Sequence, residues 1–91
     1  MIEDPINEAL LKAILQRRTI SEICEITGFA STQSVHARLL KLERKGFIEQ
    51  PRRHIRPGRR LTQKGIDYLV GRDYISEEDG KRYLEAQRLE V

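Results

Sequence analysis

The sequence predicts a mainly α-helical domain with a small β-hairpin and an additional helix at its C-terminus. Apolar residues recur at helical spacing along most of the chain, and capping residues and glycines mark where those segments begin and end. Two short runs typical of strands flank Pro57-Gly58, a strong turn signal. With 91 residues, 38% of them hydrophobic, the chain can form one modest core and therefore one domain.

Two helices are predicted before the first glycine of the chain. The first is expected to begin at Asp4, because Asp is a good N-cap and Pro5 suits the first helical position. The second opens with Thr19 and Glu22, which have the spacing of a capping box, and Gly28 supplies the left-handed residue that ends it. The apolar faces of these helices comprise Ile6, Leu10, Leu11, Ala13, Ile14 and Leu15, then Ile20, Ile23 and Ile26.

A third helix is predicted over residues 32–45. Ser31 or Thr32 can cap its start, and Gly46 stops it after two basic residues in the last turn. The side chains expected to pack inward are those of Val35, Leu39 and Leu42.

The predicted hairpin follows this helix directly. Residues 47–50 are expected to form its first strand, residues 51–58 its turn and residues 60–62 its second strand. Thr62 can then cap a fourth helix, which is expected to end at Gly71.

A last helix is predicted after Ser76, which opens a second capping box. Gly80 is expected to weaken this helix by about 1 kcal/mol, because Gly is the poorest helix former after Pro. We divide the chain into a domain over residues 1–72 and a C-terminal helix over residues 73–91, a possible dimerisation element. Three tyrosines suit either an interaction surface or packing against the first helix: Tyr68, Tyr74 and Tyr83.

Charge is distributed unevenly along the chain. The net charge is only +3, but residues 51–66 hold six basic side chains and no acidic one. Residues 1–50 are neutral, and residues 67–91 carry four basic and seven acidic side chains. A concentrated basic segment attracts a polyanion even when the total charge is small.

Several function classes are disfavoured by the composition. Cys24 is the single cysteine, so no internal disulfide forms; we expect it to pack as a small apolar residue in a cytoplasmic protein. His36 and His54 are 18 residues apart without a supporting cysteine or paired carboxylate, so no metal site or cofactor is expected. There is no arrangement typical of an enzyme, no apolar run long enough for a membrane helix, and no signal peptide at the start.

The start of the third helix is the candidate base-reading surface. In a helix–turn–helix, a short turn containing Gly lets the second helix project its first residues into the major groove. Thr, Gln, Ser and His are unusual for a merely solvated face and can pair with base edges. The alternative is a capped, Ser-rich helix start without a ligand. The candidate base contacts are Thr32, Gln33, Ser34, His36 and Ala37.

The basic hairpin is the candidate phosphate-binding surface. Arg is always charged, and its planar fork grips phosphate in two places. Charges on a soluble loop usually mix signs, whereas this segment does not; the alternative is a solvated loop. The candidate phosphate contacts are Arg38, Lys41, Arg52, Arg53, His54, Arg56, Arg59 and Arg60.

Residues 19–50 resemble the N-terminal DNA-binding domain of LexA-type repressors. The resemblance implies a winged helix–turn–helix fold in which the residues after the turn read operator bases: here Gln33, Ser34, His36 and Ala37. Thr32 stands where that family usually has Pro, and the hairpin, or wing, is longer and richer in Arg. The segment Leu61-Thr62-x-Lys64-Gly65 instead resembles the helix start after the wing in MarR and PadR regulators. The motifs of the LexA resemblance are T-x-x-E-I at the second helix, Gly28-Phe29-x-Ser31, Leu39-x-x-Leu42 and Arg44-Lys45-Gly46-x-Ile48-Glu49.

These observations predict sequence-specific binding of double-stranded DNA by a transcriptional regulator, more plausibly a repressor than an activator. Helix 32–45 would enter the major groove, the wing over residues 51–60 would lie on the phosphate backbone, and a homodimer would raise specificity. Two alternatives stay open. One is a non-specific architectural or replication-associated nucleic-acid binder. The other is a protein–protein adaptor that uses the same fold.

Overall fold

The computed structural model describes residues 5–50 and 59–89 of the chain. Within these residues it contains five α-helices and one two-stranded antiparallel sheet. The predicted class, mainly α with a small β-hairpin, is confirmed. The elements in chain order are α1 (Pro5–Leu15), α2 (Ile20–Thr27), α3 (Thr32–Arg44), β1 (Ile48–Glu49), β2 (Arg60–Leu61), α4 (Gln63–Gly71) and α5 (Glu77–Leu89).

The capping signals of α2 are confirmed at both ends. The Thr19 hydroxyl accepts the Glu22 N–H at 3.2 Å, and the Glu22 carboxylate accepts the Thr19 N–H at 3.0 Å. Gly28 adopts the left-handed conformation with φ 76°, and its N–H donates to the Cys24 carbonyl. The expected cap of α1, Asp4, lies outside the described residues. The boundaries of α2 therefore follow from capping residues that can be identified in the sequence.

One apolar core lies between the first four helices and the sheet. Cys24 packs against it as a half-buried residue, as predicted. Among the described side chains, α5 supplies none of the buried apolar ones. The buried set is Leu10, Leu11, Ala13, Ile14, Ile23, Val35, Leu39, Leu42, Phe47, Ile48, Leu61, Ile66 and Leu69. These contacts fix α3 by its inner face and leave its other face outward.

The two strands form a short stem, which we call the wing stem (Ile48–Glu49 with Arg60–Leu61). Ile48 pairs with Leu61 and both are buried, while Glu49 pairs with Arg60 on the outer face. The strands are shorter than predicted, although the N–H of Thr62 still donates to the Phe47 carbonyl at 3.1 Å before the chain enters α4. The predicted turn, residues 51–58, lies outside the described residues.

Thr62 links the end of α3 to the start of α4. The Thr62 hydroxyl donates to the Gly46 carbonyl at 2.5 Å and accepts the Gly65 N–H at 3.2 Å, which confirms Thr62 as the cap of α4. A Cβ on Gly65 would overlap the carbonyl oxygen of Phe47. This position therefore requires glycine so that α4 can approach the end of α3 closely.

Helix α5 packs on its own domain. The hydroxyl of Tyr83 accepts the N–H of Leu61 at 3.0 Å, so α5 holds the second strand. A Cβ on Gly80 would lie 2.5 Å from Cγ2 of Ile66. The prediction that Gly80 merely weakens α5 is thus incomplete, because glycine also allows α5 to approach α4. The division at residue 72 and the dimerisation role stay predictions.

Glu8 of α1 ties the first helix to α4 and to the turn after it. The hydroxyls of Tyr68 and Tyr74 each donate to its carboxylate at 2.6 Å, and Nη2 of Arg72 lies 3.1 Å from Oε1. These hydrogen bonds, that from Tyr68 first, lower the pKa of Glu8, while burial raises the pKa of Tyr68 to about 12. Two of the three tyrosines therefore serve packing against the first helix.

Candidate nucleic-acid interface

The helix–turn–helix is formed by α2, residues 28–31 and α3. Ser31 caps α3, since its hydroxyl accepts the Ser34 N–H at 3.4 Å. The buried residues Val35, Leu39 and Leu42 face the core along the helix, so the intervening positions are turned outward. The start of α3 is thereby presented at the surface of the domain.

Each residue predicted to contact bases is exposed on this outward face. The hydroxyl of Ser34 is 3.4 Å from that of Ser31, so Ser34 also takes part in the cap. The structure brings the set together within two turns of helix, although their contacts with bases stay predictions. The set is Thr32, Gln33, Ser34, His36 and Ala37.

Leu40 is a member of the outward face that the sequence reasoning missed. Its side chain is 45% exposed, unusual for a large apolar residue in α3. Leu40 follows Gln33 by seven positions and Ala37 by three, the spacing of neighbours on one helix face. Its place outside the repeat of Val35, Leu39 and Leu42 was the signal that could have found it.

The two basic residues predicted within α3 lie in different surroundings. Lys41 is exposed. Arg38 is half-buried, and its guanidinium carbon is 5.9 Å from the ring centroid of Phe29, a cation–π distance. Phe29 belongs to the turn, so this contact orients Arg38 towards the turn between the two helices. Their phosphate contacts stay predictions.

The two described arginines of the basic segment, Arg59 and Arg60, are engaged in ion pairs. Nε of Arg59 lies 2.7 Å from Oε1 of Glu43, with side chains only 12% and 21% exposed. Nε of Arg60 lies 2.9 Å from Oε1 of Glu49, whose side chain is 51% exposed. The first pair joins the wing stem to α3, whereas the second joins the two strands to each other.

Lys64 is also used by the fold. Its ammonium donates to the Lys45 carbonyl at 2.6 Å and lies 4.6 Å from the ring centroid of Phe47. The ammonium therefore satisfies a carbonyl at the C-terminal end of α3, where a positive charge is favourable.

Part of the positive charge of residues 51–66 is therefore neutralised by acidic side chains from elsewhere in the chain. Glu43 and Glu49 precede the segment in sequence but lie beside Arg59 and Arg60 in space. Charges counted along the chain do not reveal these partners, because the fold brings them together from distant positions. The remaining predicted wing contacts, Arg52, Arg53, His54 and Arg56, lie outside the described residues and stay predictions. Over the part of the chain that is described, no three His, Cys, Asp or Glu residues cluster to hold a metal ion, and no helix has the length and apolarity to cross a bilayer.

Comparison with known families shows to which family the helix–turn–helix region belongs. The sequence model of the LexA DNA-binding domain matches residues 10–57, which contain α2, the turn, α3 and β1. The chain belongs to the LexA DNA-binding domain family. The LexA match ends before β2, so α4 and α5 lie outside it.

Curated relatives agree with the family assignment. The LexA repressor of Caldicellulosiruptor saccharolyticus is 41% identical over 56 residues, which are 62% of this chain and 26% of the relative. LexA repressors from two strains of Lactobacillus delbrueckii subsp. bulgaricus are 39% identical over 51 residues, 56% of this chain and 24% of each relative. The matched region thus spans about a quarter of the length of these relatives. No solved structure matches the chain significantly.

Proposed function

We propose that this protein binds double-stranded DNA in a sequence-specific manner and represses transcription in the cytoplasm. The observation that carries the proposal is the exposed polar start of α3 in a member of the LexA DNA-binding domain family. The curated relatives are named repressors, which supports repression over activation. The proposed activity is binding and not catalysis.

In this proposal α3 enters the major groove and its outward face reads bases. The amide of Gln33 can pair in bidentate fashion with adenine, and the hydroxyls of Thr32 and Ser34 can donate to or accept from base edges. His36 adds a ring that can donate or accept. Ala37 and the exposed Leu40 can make apolar contact with the methyl group of thymine. The face thus combines polar and apolar readout.

Phosphate contacts in this proposal come from α3 and from the wing over residues 51–60. Arg38 and Lys41 stand beside the base-reading face and fix the register of α3 on the duplex. For Arg59 and Arg60, the ion pairs with Glu43 and Glu49 compete with phosphate. We therefore assign the direct contacts of the wing to Arg52, Arg53, His54 and Arg56.

We further propose that two copies bind as a homodimer through α5. A single recognition helix reads few base pairs, so pairing of two helices on one site raises specificity. The first turn of α5 is acidic, with Glu77 and Glu78, and the next turn exposes Lys81 and Arg82, of which Arg82 pairs with Glu78 of the same helix at 2.9 Å. Antiparallel packing of two α5 helices would set Glu77 of each copy against Lys81 of the other, which suits a symmetric interface.

Selection of bound sequences from a random duplex library tests the proposal. We expect the chain to enrich one motif, with a palindrome if it binds as a dimer. A control variant with Gln33→Ala and Ser34→Ala should still bind duplexes but lose the enrichment. Binding that depends on salt without any enriched motif would indicate an architectural protein. Absence of binding to every duplex would indicate a protein adaptor.

A further inference from the structure

We propose that Glu43 and Arg59 form a positioning pair that fixes the wing stem on α3 and sets where the wing meets DNA. The proposal rests on the DNA-binding function proposed above and assigns Arg59 a different role from its neighbours in the wing. Glu43 is the penultimate residue of α3, and Arg59 immediately precedes β2. The pair therefore links the base-reading helix to the returning strand of the wing.

The surroundings of the pair favour a persistent contact. Nε of Arg59 and Oε1 of Glu43 are 2.7 Å apart, and both side chains are largely shielded from solvent, so the two groups form an ion pair, but these two atoms are not aligned as a hydrogen bond. Shielding lowers the local dielectric, so the attraction is stronger and less screened by salt than at an exposed pair. Removing one partner of a shielded pair costs more than losing a surface contact, because the charge that stays behind loses part of its compensation.

The position of the pair explains why breaking it should change the orientation of the wing stem relative to α3. The first strand is already continuous with α3 through residues 45–47. The residue before the second strand contacts α3 itself through the pair of Arg59 with Glu43, whereas Arg60 and Glu49 link strand to strand. Thr62 bonds to Gly46, which follows the end of α3. Residues 51–58 leave the stem after β1 and rejoin it before β2. A change in the angle of the stem against α3 therefore changes where the chain leaves and rejoins the stem relative to the base-reading face.

The sign of the effect at Glu43 separates positioning from direct phosphate binding. If Arg59 held a phosphate, replacing Glu43 with Gln would release the guanidinium from this carboxylate and remove a negative charge, so binding to every duplex would tighten. If the pair positions the wing, the same replacement weakens binding to the preferred site. The affinity for random duplex would change little, because non-specific binding depends on charge more than on the register of the protein on the DNA.

The test compares four variants: Glu43→Gln, Arg59→Gln, both together, and the exchange Glu43→Arg with Arg59→Glu. The matched control is Glu49→Gln, which breaks the exposed pair. Affinity for the selected site and for random duplex is measured over a range of salt. We expect each single variant to lose about tenfold on the preferred site, the double variant to lose no more, and the exchange to recover part of the loss. The salt slope should stay unchanged in Glu43→Gln.

A measurement without DNA shows whether the stem itself has loosened. Amide hydrogen exchange at Leu61 and Thr62, compared where all variants are folded, should be faster in both single variants than in the Glu49→Gln control. Unchanged exchange together with tighter binding by Glu43→Gln would overturn the positioning role and return Arg59 to the phosphate contacts. If the unmodified chain bound no duplex, the DNA-binding function itself would fall. If it bound and Glu43→Gln left both affinities unchanged, the inference alone would fall.

Discussion

The amide side chain of Gln33 is the group on the outward face of α3 best suited to discriminate one base pair from another. Gln33→Ala should reduce affinity for the preferred site by roughly 1–3 kcal/mol and leave affinity for random duplex nearly unchanged. The control is Gln16→Ala, the same deletion at an exposed position outside α3. Electrophoretic mobility shifts on both duplexes give the comparison. Equal losses on the two duplexes would show that Gln33 does not read bases.

The carboxylate of Glu8 makes stability depend on pH in a defined direction. Its pKa is lowered from 4.5 in the folded protein by hydrogen bonds from Tyr68 and Tyr74. A lowered pKa contributes stability that is present above 4.5 and is lost as pH falls through the folded value. Glu8→Gln should therefore lower the thermal midpoint at pH 7, and the gap to the unmodified chain should close in acid.

Thermal unfolding is followed by circular dichroism at several pH values between about 3 and 7, and each sample gives one thermal midpoint. Glu85→Gln, a change at an exposed carboxylate of α5, serves as control. A gap between Glu8→Gln and the unmodified chain that persists unchanged at pH 3 would contradict the assignment of this pH dependence to Glu8.

Single residues were predictable where their partners are close in sequence. Thr19 and Glu22 are three positions apart, so the spacing alone specified both hydrogen bonds of the capping box. Glu8 and Tyr68 are 60 positions apart, and nothing local in either segment names the other. Arg59 likewise gave no sign of Glu43. Sequence patterns report local chemistry, whereas these pairs exist only because packing brings distant segments together.

At the scale of secondary structure, Gly80 and Gly71 offer a matched pair of helical glycines. Alanine normally stabilises a helix interior by up to about 1 kcal/mol relative to glycine. At Gly80 a Cβ would meet Ile66, so Gly80→Ala should destabilise the protein by about 1–3 kcal/mol despite the better helix propensity. At Gly71 nothing lies within 4 Å, so Gly71→Ala should be neutral or stabilising by up to about 1 kcal/mol.

Urea denaturation of the two alanine variants measures both effects. Opposite signs are expected because only one of the two positions touches a neighbouring helix. A stabilised Gly80→Ala protein would mean that α5 does not approach α4 as closely as described.

The wing should act on affinity through its charge. Replacing Arg52, Arg53 and Arg56 with Ala should weaken binding to all duplexes and flatten the dependence of log K on log salt by about one unit per lost phosphate contact. Arg60→Ala is the control, because its guanidinium already pairs with Glu49. Fluorescence anisotropy at several salt concentrations gives the slopes. An unchanged slope in the folded triple variant would show that this segment does not touch the backbone.

The helices could be predicted from the sequence. The charge interactions of the wing could be predicted only in part. The repeat of Val35, Leu39 and Leu42 determined which face of α3 is buried, so the outward face followed from periodicity. Charge along residues 51–66 gave no comparable guide, since two of its arginines meet acids from α3 and β1. A net charge counted along a segment omits partners that the fold supplies from other elements.

For the whole molecule, the prediction to be tested is self-association through α5. Removal of α5 would also remove the Tyr83 hydrogen bond to Leu61, so truncation after Arg72 would confound assembly with stability. Charge reversal of the exposed Lys81 to Glu is cleaner, because it leaves the pair of Arg82 with Glu78 intact, and Glu85→Gln serves as control. If α5 forms the interface, sedimentation at tens of micromolar on a palindromic site should change from two copies to one. A monomer in the unmodified chain, alone and on its site, would rule out the dimer.

The closed wing stem has a consequence for how such a protein diversifies. The hydrogen bond from Thr62 to Gly46 and the pairing of Ile48 with Leu61 complete the fold before and after the segment that joins the strands. The entropic cost of closing a loop rises by only about 0.6 kcal/mol for each doubling of its length. Insertions between residues 50 and 59 can therefore lengthen the reach of the protein or alter its charge while the core is unaffected. Descendants of one such chain can therefore diverge in the length and charge of this segment long before they diverge in architecture.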